Sequence, residues 1–442
     1  MSTSGNGSTS FIGKLIAPFR LLTPILWLFM GTMILANVAA QMDGPLRPLY
    51  IQELGASVKQ IGIFFTLGAI APLLFQIFGG WLSDSIGRLQ AIAIGSLGGV
   101  MSYVIYIFAP SWQWLLLASV SVSMAYAFVG PSFSAFIAEQ STEETRGRVY
   151  GITSTLFMVV NIVGPVVGGL IAQGLSFKVL FIVAGVLYGS AALIRVLMAR
   201  FAGRKQTAQS EQTEQAPRSG FSQFKTSLVS IIAMMTAGGL LTWIFISDGV
   251  RDVAFGLTDQ LMPIYLENEM GLTILQIGTL QSITAIAAMF FMSPAGWLSD
   301  KAGERVGIVG GFALIAVGWT VFLYGSSFTY FIASRLIIGI GWALIDPAYN
   351  SLISKAVPEK QRGLAFGFFA SSISLIALPA PWIGAQLWEA FTPRFPFFIP
   401  LIALVAMLPV MWIKFKLPSD TSGGDPAVLS GVTAAPAPET GR

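Results

Sequence analysis

Residues 80–84 read Gly-Trp-Leu-Ser-Asp, and residues 296–300 read the same five letters again, 216 positions later in a chain of 442. Each copy closes a long apolar run, and the two copies have company at the same offset. Gln60-Ile61-Gly62 returns as Gln276-Ile277-Gly278, Pro131 as Pro347, Arg146-Gly147 as Arg362-Gly363, Gly151 as Gly367 and Pro165 as Pro381. Slightly upstream, 48–55 (PLYIQELG) echoes 263–271 (PIYLENEMG) with one residue inserted. One pentapeptide can recur by chance. A register held from residue 60 to residue 165 cannot, and it marks a duplicated unit.

The composition says where that unit folds. Hydrophobic residues make up 54% of the chain and Asp, Glu, Lys and Arg only 10%, against about 25% charged in soluble domains. With a mean hydropathy of +0.74, the solvent that fits is a lipid bilayer. The net charge of +4 comes with no basic stripe outside short connections, so no nucleic-acid partner is expected. There is no Cys and no His. That removes disulfides, thiolate chemistry, the usual zinc sites and imidazole acid–base work, and no metal or cofactor is expected. No GxxxxGK[ST] stretch is present, so ATP is not the expected energy source. The first ten residues are polar and lack the pattern of a cleaved signal, so the first apolar run is expected to stay as an anchor.

Twelve apolar stretches have the roughly 20 residues a spanning helix needs, centred near 36, 71, 99, 126, 161, 188, 252, 287, 315, 341, 376 and 405. The expected layout is a polar tail over 1–17, a six-helix bundle over 18–201, a cytoplasmic linker over 202–226, a second six-helix bundle over 227–417 and a loose tail over 418–442. Six spans are an even number, so both copies enter from the same side. They form parallel repeats about an axis along the membrane normal, as in the two halves of major facilitator transporters. If both termini are cytoplasmic, five of the 25 Lys and Arg lie outside (Arg47, Lys59, Lys178, Arg251 and Arg394), one lies in a span (Arg335) and nineteen lie inside. The positive-inside rule favours that orientation, in a plasma (cell inner) membrane.

The stretch from Gly80 through Asp84 to Gly87-Arg88 resembles the signature loop between the second and third spans of the major facilitator superfamily. Its second copy runs from Gly296 through Asp300 to Gly303, Glu304 and Arg305. The resemblance covers residues 18–416 in helix count, linker position and duplication. It implies a fold of twelve spans in two pseudo-symmetric six-helix bundles, and a gate in which Asp84 and Asp300 meet helix N-termini. It also implies that Arg88 pairs with Glu139, with Arg146 and Arg362 in the connections that follow the fourth and tenth spans. The sequence departs from the family where Leu89 replaces a basic residue and where Glu304 replaces the first Arg of the second copy, so the second latch is expected to be wired differently. Span 5 carries Gly151, Gly164, Pro165, Gly168 and Gly169, similar to the Gly-Pro motif of the proton-coupled antiporter branch. Val160 stands where that branch has another glycine, and Ser119 where it has an Arg ahead of the proline of span 4.

Ionisable groups inside a span mark function by default. The seventh span offers Asp248, Arg251, Asp252 and Asp259. On one continuous helix over 238–266, Asp252 and Asp259 lie about 40° and 20° from Asp248, and Arg251 about 60° to the other side, so all four share a face. The competing reading makes the charge-free run 227–247 the span and puts the charges in an outer loop. Span 10 offers Arg335 and Asp346 on one face, for function or for a structural salt bridge, with Trp342, Tyr349 and Asn350 nearby. Asn37, Gln41 and Asp43 in span 1, Asn161 in span 5 and Gln281 in span 8 are further cavity candidates, the amides each also explained by an interhelical hydrogen bond.

These readings converge on a monomeric secondary transporter of a small organic solute that works by rocker-switch alternating access on an ion gradient. Proton-coupled efflux of an amphipathic compound is the favoured form. Uptake of a sugar or organic ion by symport or facilitated diffusion is the alternative. A transporter-like sensor or scaffold is a remote third, and an enzyme is not expected, because no nucleophile–base pair can be assembled without His or Cys.

Overall fold

The computed structural model describes residues 23–75, 86–206, 239–357 and 375–415, and every regular element among them is helical. The α-helices are α1 (Pro24–Asp43), α2 (Arg47–Glu53), α3 (Val58–Gly68), α4 (Arg88–Phe108), α5 (Leu115–Gln140), α6 (Glu143–Gly174) and α7 (Phe177–Gln206) in the first repeat. The second repeat has α8 (Leu240–Gly256), α9 (Met262–Asn268), α10 (Ile274–Ala302), α11 (Glu304–Tyr324), α12 (Phe328–Ala356), α13 (Ala380–Ala390) and α14 (Phe398–Lys414). Among the described residues ten helices are long and apolar enough to cross a membrane. The seventh and eleventh expected spans are described only in part, as α8 and α13. This is an all-α membrane fold. Gly80, Asp84 and Arg362 lie outside the described residues, as do most of the expected linker and the C-terminal tail.

Local sequence explains the helix ends, and the repeat shows in them. Ser57 and Gln60 form a capping box at the start of α3, and Thr273 and Gln276 form the same box at the start of α10. In each, the hydroxyl takes an orphan N–H of the first turn while the Gln side chain returns to the cap backbone. The repeated Gln-Ile-Gly is therefore a helix start. Gly87 and Gly303 precede α4 and α11 with φ of 98° and 88°, a region closed to other residues.

By spatial contact the chain divides into two compact units, Met1–Tyr50 with Ile70–Glu211, and Ile51–Ala69 with Gln212–Arg442. The expected division at 201 and 227 follows chain order instead. Segment 51–69 joins the second unit because α3 lies along α13: a Cβ at Gly62 would sit 2.7 Å from the Pro381 carbonyl, and Trp382 N donates to Thr66 Oγ1 at 3.1 Å. In the first unit the core gathers Phe29, Met30, Ile92, Phe136, Ile137 and Val149. A second cluster is written twice. Phe181 packs on Tyr50 and Tyr106 at 4.6 and 4.7 Å between ring centres, and its counterpart Phe397 packs on Tyr265 and Phe322 at 4.8 and 5.6 Å. Aromatic bodies fill the core in both copies.

The first span of each repeat is broken at the same place. A 3-10 turn, Gly44–Leu46, separates α1 from α2, and a turn over 257–261 separates α8 from α9. A glycine seats on each break. A Cβ at Gly168 would stand 1.9 Å from the Met42 carbonyl oxygen, and a Cβ at Gly384 would stand 1.9 Å from that of Leu257. Only a hydrogen fits at either position. Beside them the small residue changes sides: Gly164 faces Gln41 in the first repeat, whereas Gly256 faces Ala380 in the second.

Candidate functional site

The described part of the gate motif is duplicated in geometry and reversed in charge. After Gly87, Arg88 Nε donates to Glu139 Oε1 at 3.1 Å. After Gly303, the position of Arg88 is taken by Glu304 and that of Glu139 by Lys355, and these two pair in turn. Ser351 adds a hydrogen bond to Glu304 at 2.8 Å. Arg146 donates to the Ala138 carbonyl at 3.2 Å, holding the turn between α5 and α6. Arg305 reaches the Trp412 carbonyl at 3.1 Å and covers the Trp412 ring at 4.3 Å. Asp300 is exposed in the last turn of α10, with no ion pair among the described residues, and Gly296 lies one turn before it.

In the second repeat, α8 runs through Asp248, Arg251 and Asp252, which places them on a helix and not in a loop. Arg251 lies 2.8 Å from Asp248, as an ion pair set at an angle rather than a hydrogen bond, and its Nε donates to Asp252 at 2.7 Å. The Asp248 side chain is 10% exposed and that of Asp252 38%. Trp342 and Tyr349 of α12 offer their rings to the Arg251 guanidinium at 5.7 and 5.9 Å, a cation–π arrangement. Two acids and one Arg leave this cluster one negative charge in excess.

The expected common face does not extend to Asp259. The helix ends at Gly256, and Asp259 sits in the following turn with its N–H on the Phe255 carbonyl at 2.9 Å. The angle calculated for an unbroken helix therefore does not apply. Nor do Arg335 and Asp346 form one group. Arg335 is buried, reaches the Met262 sulfur of α9 and keeps a buried Nε without a hydrogen-bond partner. Asp346 is exposed, and Asn350 donates to its carbonyl at 2.9 Å. Gln281 is exposed. In the first repeat Gln41 donates to Asn161, so these two candidates form an interhelical hydrogen bond, and Asn37 donates to the Met33 carbonyl at 2.8 Å while lining a cavity. Gly164, Pro165, Gly168 and Gly169 are buried on α6, while Gly151 is exposed.

Two charged residues that bear on the site lie elsewhere than the sequence places them. Arg47 was placed outside, but it lies in the broken first span and donates to the fully buried Asp43 at 2.6 Å. Tyr103 donates to the other Asp43 oxygen at 3.1 Å. Arg195 was counted among the cytoplasmic cations. It is 1% exposed inside α7, where Thr32, Ser96 and Met33 accept its hydrogen bonds. Its signal is in the sequence: Arg195 is the one charged residue of the apolar run 179–199.

The sequence profile described as Major Facilitator Superfamily matches residues 28–258 and 245–437. The Multi-drug resistance efflux pump PmrA homolog of Lactococcus lactis is 24% identical over 350 residues, spanning 78% of this chain and 83% of that protein. The class C tetracycline resistance protein of Escherichia coli is 24% identical over 364 residues, 82% of this chain and 89% of that protein. Among solved structures, a bacterial homologue of the iron transporter ferroportin in its inward-facing state superposes with a TM-score of 0.70 at 15% identity, over 89% of this chain and 99% of that one. That likeness concerns the fold.

Proposed function

The chain belongs to the Major Facilitator Superfamily, and from that premise we propose that it exports an amphipathic organic solute in exchange for protons. Its relatives make it a multi-pass secondary transporter of small molecules, not an enzyme. Export is supported by the names of those relatives, an efflux pump and a resistance protein. The carrying observation for proton coupling is the Asp248–Arg251–Asp252 cluster: a buried acid on α8, held by one Arg that a second acid also claims. A buried ion pair exists only while both partners are charged. A proton arriving at Asp248 releases Arg251 to Asp252 alone and leaves the cluster neutral. Loss of that proton re-forms the pair. The two charge states favour two arrangements of α8 and α12, and coupling consists of that difference. Alternating access follows the rocker-switch pattern, the protein works as a monomer with both termini in the cytoplasm, and no cofactor or ATP takes part.

The experiment is transport by purified protein in sealed liposomes with an imposed pH gradient and a lipophilic dye as probe. The dye is expected to accumulate against its own gradient and to leak back when nigericin collapses the pH difference. Dye movement that equilibrates at the same rate with or without the gradient would replace exchange by facilitated diffusion.

A further inference from the structure

The first unit contains a cavity of about 220 Å³ built entirely from its own helices. Its wall divides by chemistry. Tyr126, Val129, Phe133 and Phe157 give it an aromatic and aliphatic side, with the Phe133 and Phe157 rings 5.9 Å apart. Arg47, Tyr103, Tyr188 and Arg195 contribute its polar groups. The charges among them do not balance. Arg47 is neutralised by the fully buried Asp43 at 2.6 Å. Arg195 meets only neutral groups: the Thr32 hydroxyl at 3.1 Å and its carbonyl at 3.0 Å, the Ser96 hydroxyl at 2.9 Å, the Met33 sulfur at 2.9 Å and the Tyr188 hydroxyl. Among the described residues no carboxylate pairs with it. A buried guanidinium without a counter-ion is costly in a membrane protein. Its hydrogen bonds hold α1, α4 and α7 together, a task that neutral side chains perform without that cost.

We propose that this cavity binds an organic acid carrying one or two aromatic rings, with the acid supplying the counter-ion of Arg195 and the rings lying on Phe133 and Phe157. The proposal rests on the reading of the chain as a solute transporter and names the chemical class of the solute. In that scheme the two repeats divide the work: the excess positive charge of the first holds an anion, and the excess negative charge of the second takes protons.

Equilibrium binding to the purified protein in detergent, with no gradient present, tests this apart from proton coupling. The probes are 1-naphthoate, the neutral 1-naphthalenemethanol and 1-naphthylmethylamine, which share one ring system. The acid is expected to bind at least about tenfold more tightly than the alcohol, the fold-change of one charge-assisted hydrogen bond, and the amine most weakly. Arg195→Gln should bring the acid and the alcohol to equal affinity, and Arg195→Lys should keep part of the preference. Gly130 provides a variant that leaves the buried network alone. It lines the cavity, and a Cβ there meets nothing within 4 Å. Gly130→Phe should abolish binding of all three probes at an unchanged Tm. Equal affinities in the wild type, an acid preference that survives Arg195→Gln, or undiminished naphthoate binding by Gly130→Phe would each overturn the proposal. Export driven by a pH gradient without acid preference would leave the proton-coupling reading standing alone, and acid preference without gradient-driven export would leave this one.

Discussion

The two repeats agree in backbone and disagree in charge. Gly87 and Gly303 turn the chain with the same positive φ, Gly168 and Gly384 seat on the same carbonyl at the same 1.9 Å, and Phe181 and Phe397 fill the same aromatic cluster. On that common frame Arg88–Glu139 becomes Glu304–Lys355 with the signs exchanged. The Asp43–Arg47 pair at the first break has Thr258 and Met262 as its counterparts at the second. There Arg335 comes across from α12 to reach Met262, in place of an Arg on the broken span itself. Duplication has kept the contacts that depend on backbone shape, because nothing but glycine or an aromatic ring satisfies them. A salt bridge needs only opposite signs, so its polarity is free to reverse.

The largest effect should come from the glycines on the breaks. Gly168→Leu and Gly384→Leu each drive a side chain into a carbonyl. A loss of about 3 kcal/mol or more is expected at both, read as a fall in the thermal midpoint of the purified protein. Tolerance at one site and collapse at the other would break the equivalence of the repeats. Gly303→Ala should cost about 1–3 kcal/mol through backbone strain alone, since a Cβ there meets nothing within 4 Å. Gly87→Ala should match it once Gln90 moves aside, because the nearest atom there belongs to that flexible side chain. Unequal losses would show that the two turns are held differently.

The smallest effect belongs to the charges. Arg88→Glu should cost under about 1 kcal/mol, the Glu139 side chain being 53% exposed. Adding Glu139→Lys should restore the loss, because the second repeat already folds with that polarity. A double variant as unstable as the single one would mean that the sign of this bridge is fixed by its surroundings. Coupling measured in the same cycle at Glu304–Lys355 should be the greater, since Glu304 is only 11% exposed.

The fold was legible because it is written in apolar runs and in a register that repeats, signals that survive any rearrangement of charge. The site was legible in part. Asp248, Arg251 and Asp252 share a face as their spacing required, and Arg88 meets Glu139. Asp259 was misplaced because the break after Gly256 is set by packing against α13, which no local pattern in 238–266 announces. Arg47 and Arg195 were misassigned because a count of charges along the chain has no depth scale. Arg47 is neutralised by an acid four residues earlier, whereas Arg195 keeps its charge and is held by hydroxyls and a carbonyl far away in sequence. The reversed bridge at Glu304 was half visible as a substitution, but Lys355 becomes its partner only when α11 and α12 lie side by side.

The most direct test of proton coupling in the second repeat is the Asp248→Asn variant in liposomes, assayed for both gradient-driven accumulation and solute counterflow. Neutralising that carboxylate should abolish accumulation under a pH gradient while counterflow continues at a rate near that of the wild type. Accumulation that persists undiminished in Asp248→Asn would contradict the account.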